Sequence, residues 1–291
     1  MRHLPGLLLS CLLLAGGVSA GTQQVPSQLT PSADSPALAP AAQPGRLLLL
    51  GEIHDNPAGH ARRLQRLQAE MDAGWRPALV MEQFDRERAA DLANAMATCR
   101  SAACVIRAAG GDGWDWRHYE PVLALALRYR LPVLPGNVSR TESLRVMRDG
   151  LASVLPDALA DYLPTGELPA HIAREQEAAI IAGHCGVAPR AGMAGMVRMQ
   201  VARDLWMTRQ LMTRVDTGAV LLAGNGHVRR DIGVPYWLQR HAGLQVRVIA
   251  TMESAATADA GSDSRYDEVD RVAAPAREDL CHLFRKPVTH D

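Results

Sequence analysis

The sequence predicts an α/β protein: three α/β/α layers around a mainly parallel sheet, with an inserted helical subdomain. Short, mostly apolar runs recur along the chain, at Arg46–Gly51, Ala78–Met81, Leu131–Leu134, Ala219–Ala223 and Val246–Ala250. They are apolar at both parities, as strands covered on both faces are. Helical periodicity fills the stretches between them, and an alternation of strand and helix makes parallel βαβ units.

The elements follow in order. Asn56-Pro57 opens the first helix, with Asn as cap and Pro at the first helical position, and its apolar stripe is Ala61, Leu64, Leu67 and Met71. Arg86–Met96 is helical in pattern, and Pro121–Arg130 is a second Pro-started helix carrying Val122, Leu123, Ala126 and Leu127. Residues 139–215 hold helical patterns at Thr141–Leu155, Ala170–Ala182 and Met193–Arg214 and read as the insertion. Ser254–Asp263 is polar and small, a loop, and the segment to Phe284 reads as a tail packed on the domain. The α/β domain therefore spans 45–285, with 286–291 as the end of the tail.

The first twenty residues stand apart. Arg2, the run Leu7–Ala15 and the small triplet Val18-Ser19-Ala20 have the three parts of a secretory signal. Cys11, after Leu8-Leu9-Ser10, offers the rival reading of a lipidated anchor. Residues 21–44 are rich in Pro, Ser, Ala and Gln and carry one charge, Asp34, the composition of an unstructured tether. The expected location is the periplasm or the outer membrane. Export permits disulfides, and Cys99, Cys104, Cys185 and Cys281 allow three pairings. The spacing of these cysteines and of the histidines is not that of a zinc site. With 31 basic and 31 acidic side chains in 291 residues, the charge balance argues against nucleic acid as partner. Every basic residue but Lys286 is arginine, whose planar fork suits carboxylates.

Polar residues gather where the strands end. The first runs into Gly51-Glu52-Ile53-His54, the second into Glu82-Gln83, the third into Gly136-Asn137 and the fourth into Gly224-Asn225-Gly226-His227. Ligands bind at the carboxyl ends of parallel strands, so these segments are expected to converge on one crevice with two carboxylates and two imidazoles. The unit Gly-x-x-His occurs twice, each time directly after an apolar strand. Buried acids such as Glu52 and Glu82 need an Arg, a His, an amide nest or a metal as partner. Arg62-Arg63 and Arg229-Arg230 flank the two units as candidate carboxylate clamps, with solvated charge as their default reading. Met193, Met196, Met199, Met207 and Met212 on one helical stretch read as core before they read as a pocket.

The strings LLLLGEIHDNPAGH from Leu47, ALVMEQF from Ala78, HCG from His184 and LLAGNGHVRRDIGVP from Leu221 resemble the ChaN-like haem-binding uptake proteins, within a wider group that includes the erythromycin esterases and the TraB/Tiki proteins. The resemblance implies haem as cofactor in iron uptake, a dimer that holds two haems face to face, and a haem receptor of the outer membrane as a further partner. It also implies a Tyr as ligand to the iron. Tyr119 is the preferred residue because it ends the Gly-rich loop with Trp114 and Trp116, and Tyr236 is the runner-up. His54, His184, His227 and Arg229 complete the expected cofactor contacts. The esterase side of the group implies instead a hydrolase with Glu52, His54, Glu82 and His227 as its catalytic set and an activated water as nucleophile, since no GxSxG elbow is present. One residue separates Glu52 from His54, a narrower gap than the esterase motif implies.

Overall fold

Leu47–Leu50 are buried at both parities. Leu48 and Leu50 pack in one apolar cluster with Trp75 and Phe84, and Leu47 and Leu49 in another with Met207 and Leu238. Each such leucine contributes roughly 1.5–3 kcal/mol by leaving water, and a strand apolar on both faces gains this only between two helical layers. The computed structural model of the chain, described for residues 42–187, 192–254, 263–278 and 281, has that arrangement. The expected signal, the Cys11 anchor, most of the tether, most of the 254–263 loop and the last residues lie outside the described residues.

In chain order the elements are β1 (Arg46–Glu52), α1 (Pro57–Asp72), β2 (Ala78–Asp85), α2 (Ala89–Thr98), α3 (Ala102–Ala109), α4 (Glu120–Tyr129), β3 (Val133–Asn137), α5 (Arg140–Asp149), α6 (Pro156–Tyr162), α7 (Ala170–Gly183), α8 (Met193–Met212), β4 (Ala219–Gly224), α9 (Val234–Leu238), β5 (Gln245–Ser254) and β6 (Glu268–Ala273). The six strands form one sheet in the order β3-β2-β4-β1-β5-β6, with every neighbouring pair parallel. Helices α1 to α4 supply the core on one face, and α8 and α9 supply it on the other. Between β3 and β4, helices α5 to α8 enclose apolar residues of their own, among them Val146, Tyr162, Ile172, Ile180 and Val201.

Several elements differ from the sequence reading. The third strand starts at Val133 and runs through Pro135 and Gly136. It is an edge strand, where a residue without an N–H is tolerated. β6 lies in what read as a packed tail, because Glu268, Asp270 and Arg271 break the apolar pattern. At this edge Asp270 takes ion pairs from Arg62 and Arg66 of α1 instead of apolar cover. Gly150, at φ 88°, stops α5 short of the expected helix end. Helices α3, α6 and α9 are too short to declare a period. The methionine stretch is mainly core: Met207 packs against the sheet, and Met193 and Met196 pack in the helical cluster. Two disulfides, Cys99–Cys104 and Cys185–Cys281, select one of the three pairings.

Candidate functional site

Register brings the two Gly-x-x-His units together. Glu52 pairs with Gly224 across β1 and β4, and Met81 with Leu222 across β2 and β4. Glu52, Glu82 and the turn after Gly224 therefore leave the sheet side by side. Gly51 permits the close approach: a Cβ there would lie 2.4 Å from Asn225 Oδ1. The Asn225 side chain crosses that space to bond Thr251, donating to its carbonyl at 2.6 Å and accepting from its amide at 3.1 Å. Asn56 caps α1 by accepting from Gly59 N at 2.8 Å, and its amide donates to Glu253 at 2.7 Å. That fixes the His54–Asn56 turn against β5.

Glu52 is the hub. Only 3 % exposed, it accepts the Tyr119 hydroxyl at 2.6 Å, His54 Nδ1–H at 2.9 Å and Gln83 Nε2–H at 3.3 Å on Oε1. Its other oxygen is ion-paired with Arg63, itself 2 % exposed. Burial lowers the Arg63 guanidinium to about 10. A buried carboxylate is tolerable only with such a set of donors. Arg63 also donates to His60 Nδ1 at 2.9 Å. Guanidinium has no acceptor, so the His60 proton sits on Nε2 and is donated to the His54 carbonyl at 2.9 Å. Burial, the largest influence, lowers the His60 pKa and keeps this tautomer neutral.

His54 is held from below and open above, with 47 % of its side chain exposed. In the neutral ring with Nδ1–H on Glu52, Nε2 carries the lone pair. It faces the Gly224 turn: a Cβ on Gly224 would lie 3.0 Å from His54 Nε2 and 3.7 Å from Glu82 Oε2. Trp114 meets the His54 ring edge-on at 5.0 Å.

The second unit is buried behind that turn. His227 Nδ1 lies 2.6 Å from Asp204 Oδ1, and Nε2 lies 3.5 Å from Glu82 Oε1. Glu82 Oε2 accepts from Gly224 N at 2.7 Å, and Gln176 donates to Asp204 Oδ2 at 3.3 Å. Burial opposes charge on all three groups. For His227 the two carboxylates outweigh it and raise the imidazole to about 10. For Glu82 burial is likewise outweighed, by His227 first, and the acid falls to about 2. For Asp204 burial prevails and the acid rises to about 6. At neutral pH the group is an imidazolium between two carboxylates.

The structure thus brings Glu52, His54, Glu82 and His227 to one rim, with Glu52–His54 paired despite their narrow spacing. Tyr119 is near them, but not in an open mouth: it is 0 % exposed. It packs under Trp114 and Trp116 with its hydroxyl committed to Glu52, and burial holds the phenol well above its usual pKa. To meet an iron it would have to break that bond and turn outward. The remaining expected contacts lie apart from this cluster. His184, at the end of α7, bonds the Ile180 carbonyl at 2.7 Å. Arg229 has its fork filled by Asp231 at 2.9 and 2.6 Å. Tyr236 packs on His171 and Trp237. Solvated charge, the default for the Arg pairs, is wrong for Arg63 and Arg229, which are both buried.

Sequence reasoning missed His60 and Asp204, and named Arg63 as a candidate carboxylate clamp without placing it in the buried core, where it holds Glu52. Each sits on the buried side of its helix: Gly59, His60, Arg63, Leu67 and Met71 on α1, and Val201, Asp204, Leu205 and Thr208 on α8. A charge in phase with an apolar stripe is the signal of a buried partner.

Fold and site together define an open parallel α/β protein that carries paired histidines and carboxylates at the carboxyl ends of its central strands. The chain belongs to the ChaN family of haem-binding uptake proteins in the Tiki superfamily, whose family model matches residues 38–238. No curated protein matches it in sequence. Among solved structures it is similar to ChaN of Campylobacter jejuni, described by its cofacial haem binding, at 18% identity and TM-score 0.57, covering 73% of this chain and 83% of that one. A mutant of the erythromycin esterase EreC in its open conformation matches at 14% identity and TM-score 0.43, covering 72% and 70%. A succinoglycan biosynthesis protein matches at 9% identity and TM-score 0.44, covering 72% and 66%.

Proposed function

We propose that the protein binds haem in the bacterial cell envelope as part of haem or iron uptake, with the haem held between two copies of the chain and His54 as ligand to the iron. One observation carries this reading: an exposed imidazole whose Nδ1 is held at 2.9 Å by the buried Glu52. A carboxylate on the far nitrogen orients a metal-ligating histidine and raises its basicity. The donor set therefore fits a haem iron. Haem, when bound, would supply an iron that takes a protein ligand and two propionates that need donors. His54 would hold the iron, and Trp114, edge-on to the His54 ring, would add apolar surface beside it. Arg63 and Glu82 stay below as fixed charges that hold His54 and its turn in place. Membership of the haem-binding family supports the cofactor. The cofacial haem of the Campylobacter protein supports a dimer, and a haem receptor at the outer membrane is the matching donor. Two disulfides support export to an oxidising compartment, by signal cleavage or by anchoring at Cys11.

The test is titration of the exported chain with hemin, followed by sizing. An intense red-shifted absorption band together with dimer formation is expected. No spectral change would overturn the proposal.

A second reading, a hydrolase, is favoured by the buried Asp204–His227–Glu82 chain beside His54. There His54 is the general base for water, Glu52 orients it, and the His227 imidazolium steadies developing negative charge. Turnover of an ester or peptide panel that disappears in His54→Ala and Glu82→Ala would establish it. Absence of turnover across the panel would remove it.

A further inference from the structure

A cavity lies away from the strand-end site, beside the start of β3. It is an open groove of about 1030 Å³ between α2, the α2–α3 junction, α4 and the Leu131–Leu134 segment, at the upper end of the roughly 300–1,000 Å³ of small-molecule sites. Ala93, Met96, Ala97, Leu127 and Leu131 give it an apolar floor. The Cys99–Cys104 disulfide fixes the junction that forms one wall.

Arg100, Arg128, Arg130 and Arg214 also line the groove, against a single acid, Glu120. About half of the arginines among the described residues are ion-paired, Arg46, Arg62, Arg63, Arg66, Arg229 and Arg230 among them. Among the described residues these four have no ion pair, and buried Arg214 Nε has no hydrogen-bond partner. Arg130 adds a further feature: it ends α4 in the left-handed region at φ 53°, a conformation unfavourable for a non-glycine residue. An unpaired guanidinium beside apolar surface favours an anion, and its fork matches a carboxylate. Neighbouring Ala124 and Arg128 also line a second groove, between α1 and α4, whose walls include Leu64, Ala69 and Leu125. An apolar path thus continues past the guanidiniums.

We infer that this groove binds a single-chain amphiphile with a carboxylate head, a long-chain fatty acid, its head among Arg100, Arg128, Arg130 and Arg214 and its chain along the apolar floor. The site is separate from the proposed haem site, so the two readings fail independently.

Calorimetric titration of the exported chain with dodecanoate, below the concentration at which it self-associates, and with dodecanol as the headless control, tests the assignment. Saturable binding of the acid is expected, about tenfold or more tighter than the alcohol, as one charge-assisted contact implies. Arg128→Gln combined with Arg214→Gln weakens the acid about tenfold and leaves the alcohol unchanged. Ala97→Trp, an exposed position on the groove wall, blocks both, and His54→Ala alters neither. The arginine variant alone decides the case should Ala97→Trp fail to fold. No binding of dodecanoate, equal binding of acid and alcohol, or binding that survives the double arginine change overturns the inference.

Discussion

Arg63→Met isolates the interaction on which the site is built. The substitution keeps most of the buried apolar stem and removes the guanidinium paired with Glu52, leaving one Glu52 oxygen enclosed without a donor. Breaking a buried pair from one side costs about 3–5 kcal/mol, because the surviving charge stays desolvated. The lost donor to His60 Nδ1 adds about 1 kcal/mol. For a domain of this size each kcal/mol moves the midpoint by roughly 2–4 °C, so the expected fall is on the order of 10–20 °C. Urea and thermal unfolding of parent, Arg63→Met, Glu52→Met and the double variant form the assay. The double variant should recover at least half of the Arg63→Met loss, because it no longer buries a lone charge, although Tyr119 and Gln83 then lose their acceptor. An Arg63→Met protein within about 1 kcal/mol of the parent, or two single losses that simply add in the double, would refute the hub role of Glu52.

Three further outcomes follow from the geometry. His227 is raised from 6.5 to about 10, so its stabilising contribution is complete below 6.5 and is lost as pH climbs through 10; the parent should lose more thermal stability than His227→Gln between pH 7 and 10, and parallel declines would contradict the triad. Glu82 and Asp204 bound the acid side: Glu82, lowered from 4.5 to about 2, stabilises above 4.5 and stops doing so as pH falls through 2, whereas Asp204, raised from 3.8 to about 6, favours the fold below 3.8 and costs stability as pH rises through 6, so Asp204→Asn, which also breaks the pair with His227, should destabilise less relative to the parent at pH 8 than at pH 4. Breaking the two disulfides separately, by Cys→Ser changes, should cost about 4–5 kcal/mol for Cys185–Cys281, which spans 96 residues, and about 2 for Cys99–Cys104, which spans 5; equal losses in denaturant unfolding would show that loop length does not govern them.

Much of the scaffold is legible in the chain because buried parallel strands announce themselves by being apolar at both parities. Leu47–Leu50, Ala78–Met81 and Ala219–Ala223 do so, and the residues that follow them must then meet at one rim. β6 escaped because its inward Asp270 is compensated by Arg62 and Arg66 of another element, a relation that local pattern does not contain. The Gly-rich loop before Tyr119 points to it as a ligand, whereas the 3-10 turn Trp116–His118 turns it inward onto Glu52. Asp204 lies between Arg203 and Leu205 like any surface acid, and only the phase of α8 shows that it lies on the buried side with Val201 and Thr208. Long-range charge compensation is the part that one-dimensional periodicity leaves out.

The claim that His54 is the ligand of a bound haem meets its most direct trial in resonance Raman spectroscopy of the reduced haem complex with natural-abundance and 15N-labelled histidine. An isotope-sensitive iron–imidazole stretch that is present in the parent and in Tyr119→Phe, and absent in His54→Ala, is the predicted result. A haem complex whose ligand bands are unchanged by His54→Ala, or are lost with Tyr119→Phe, would contradict it.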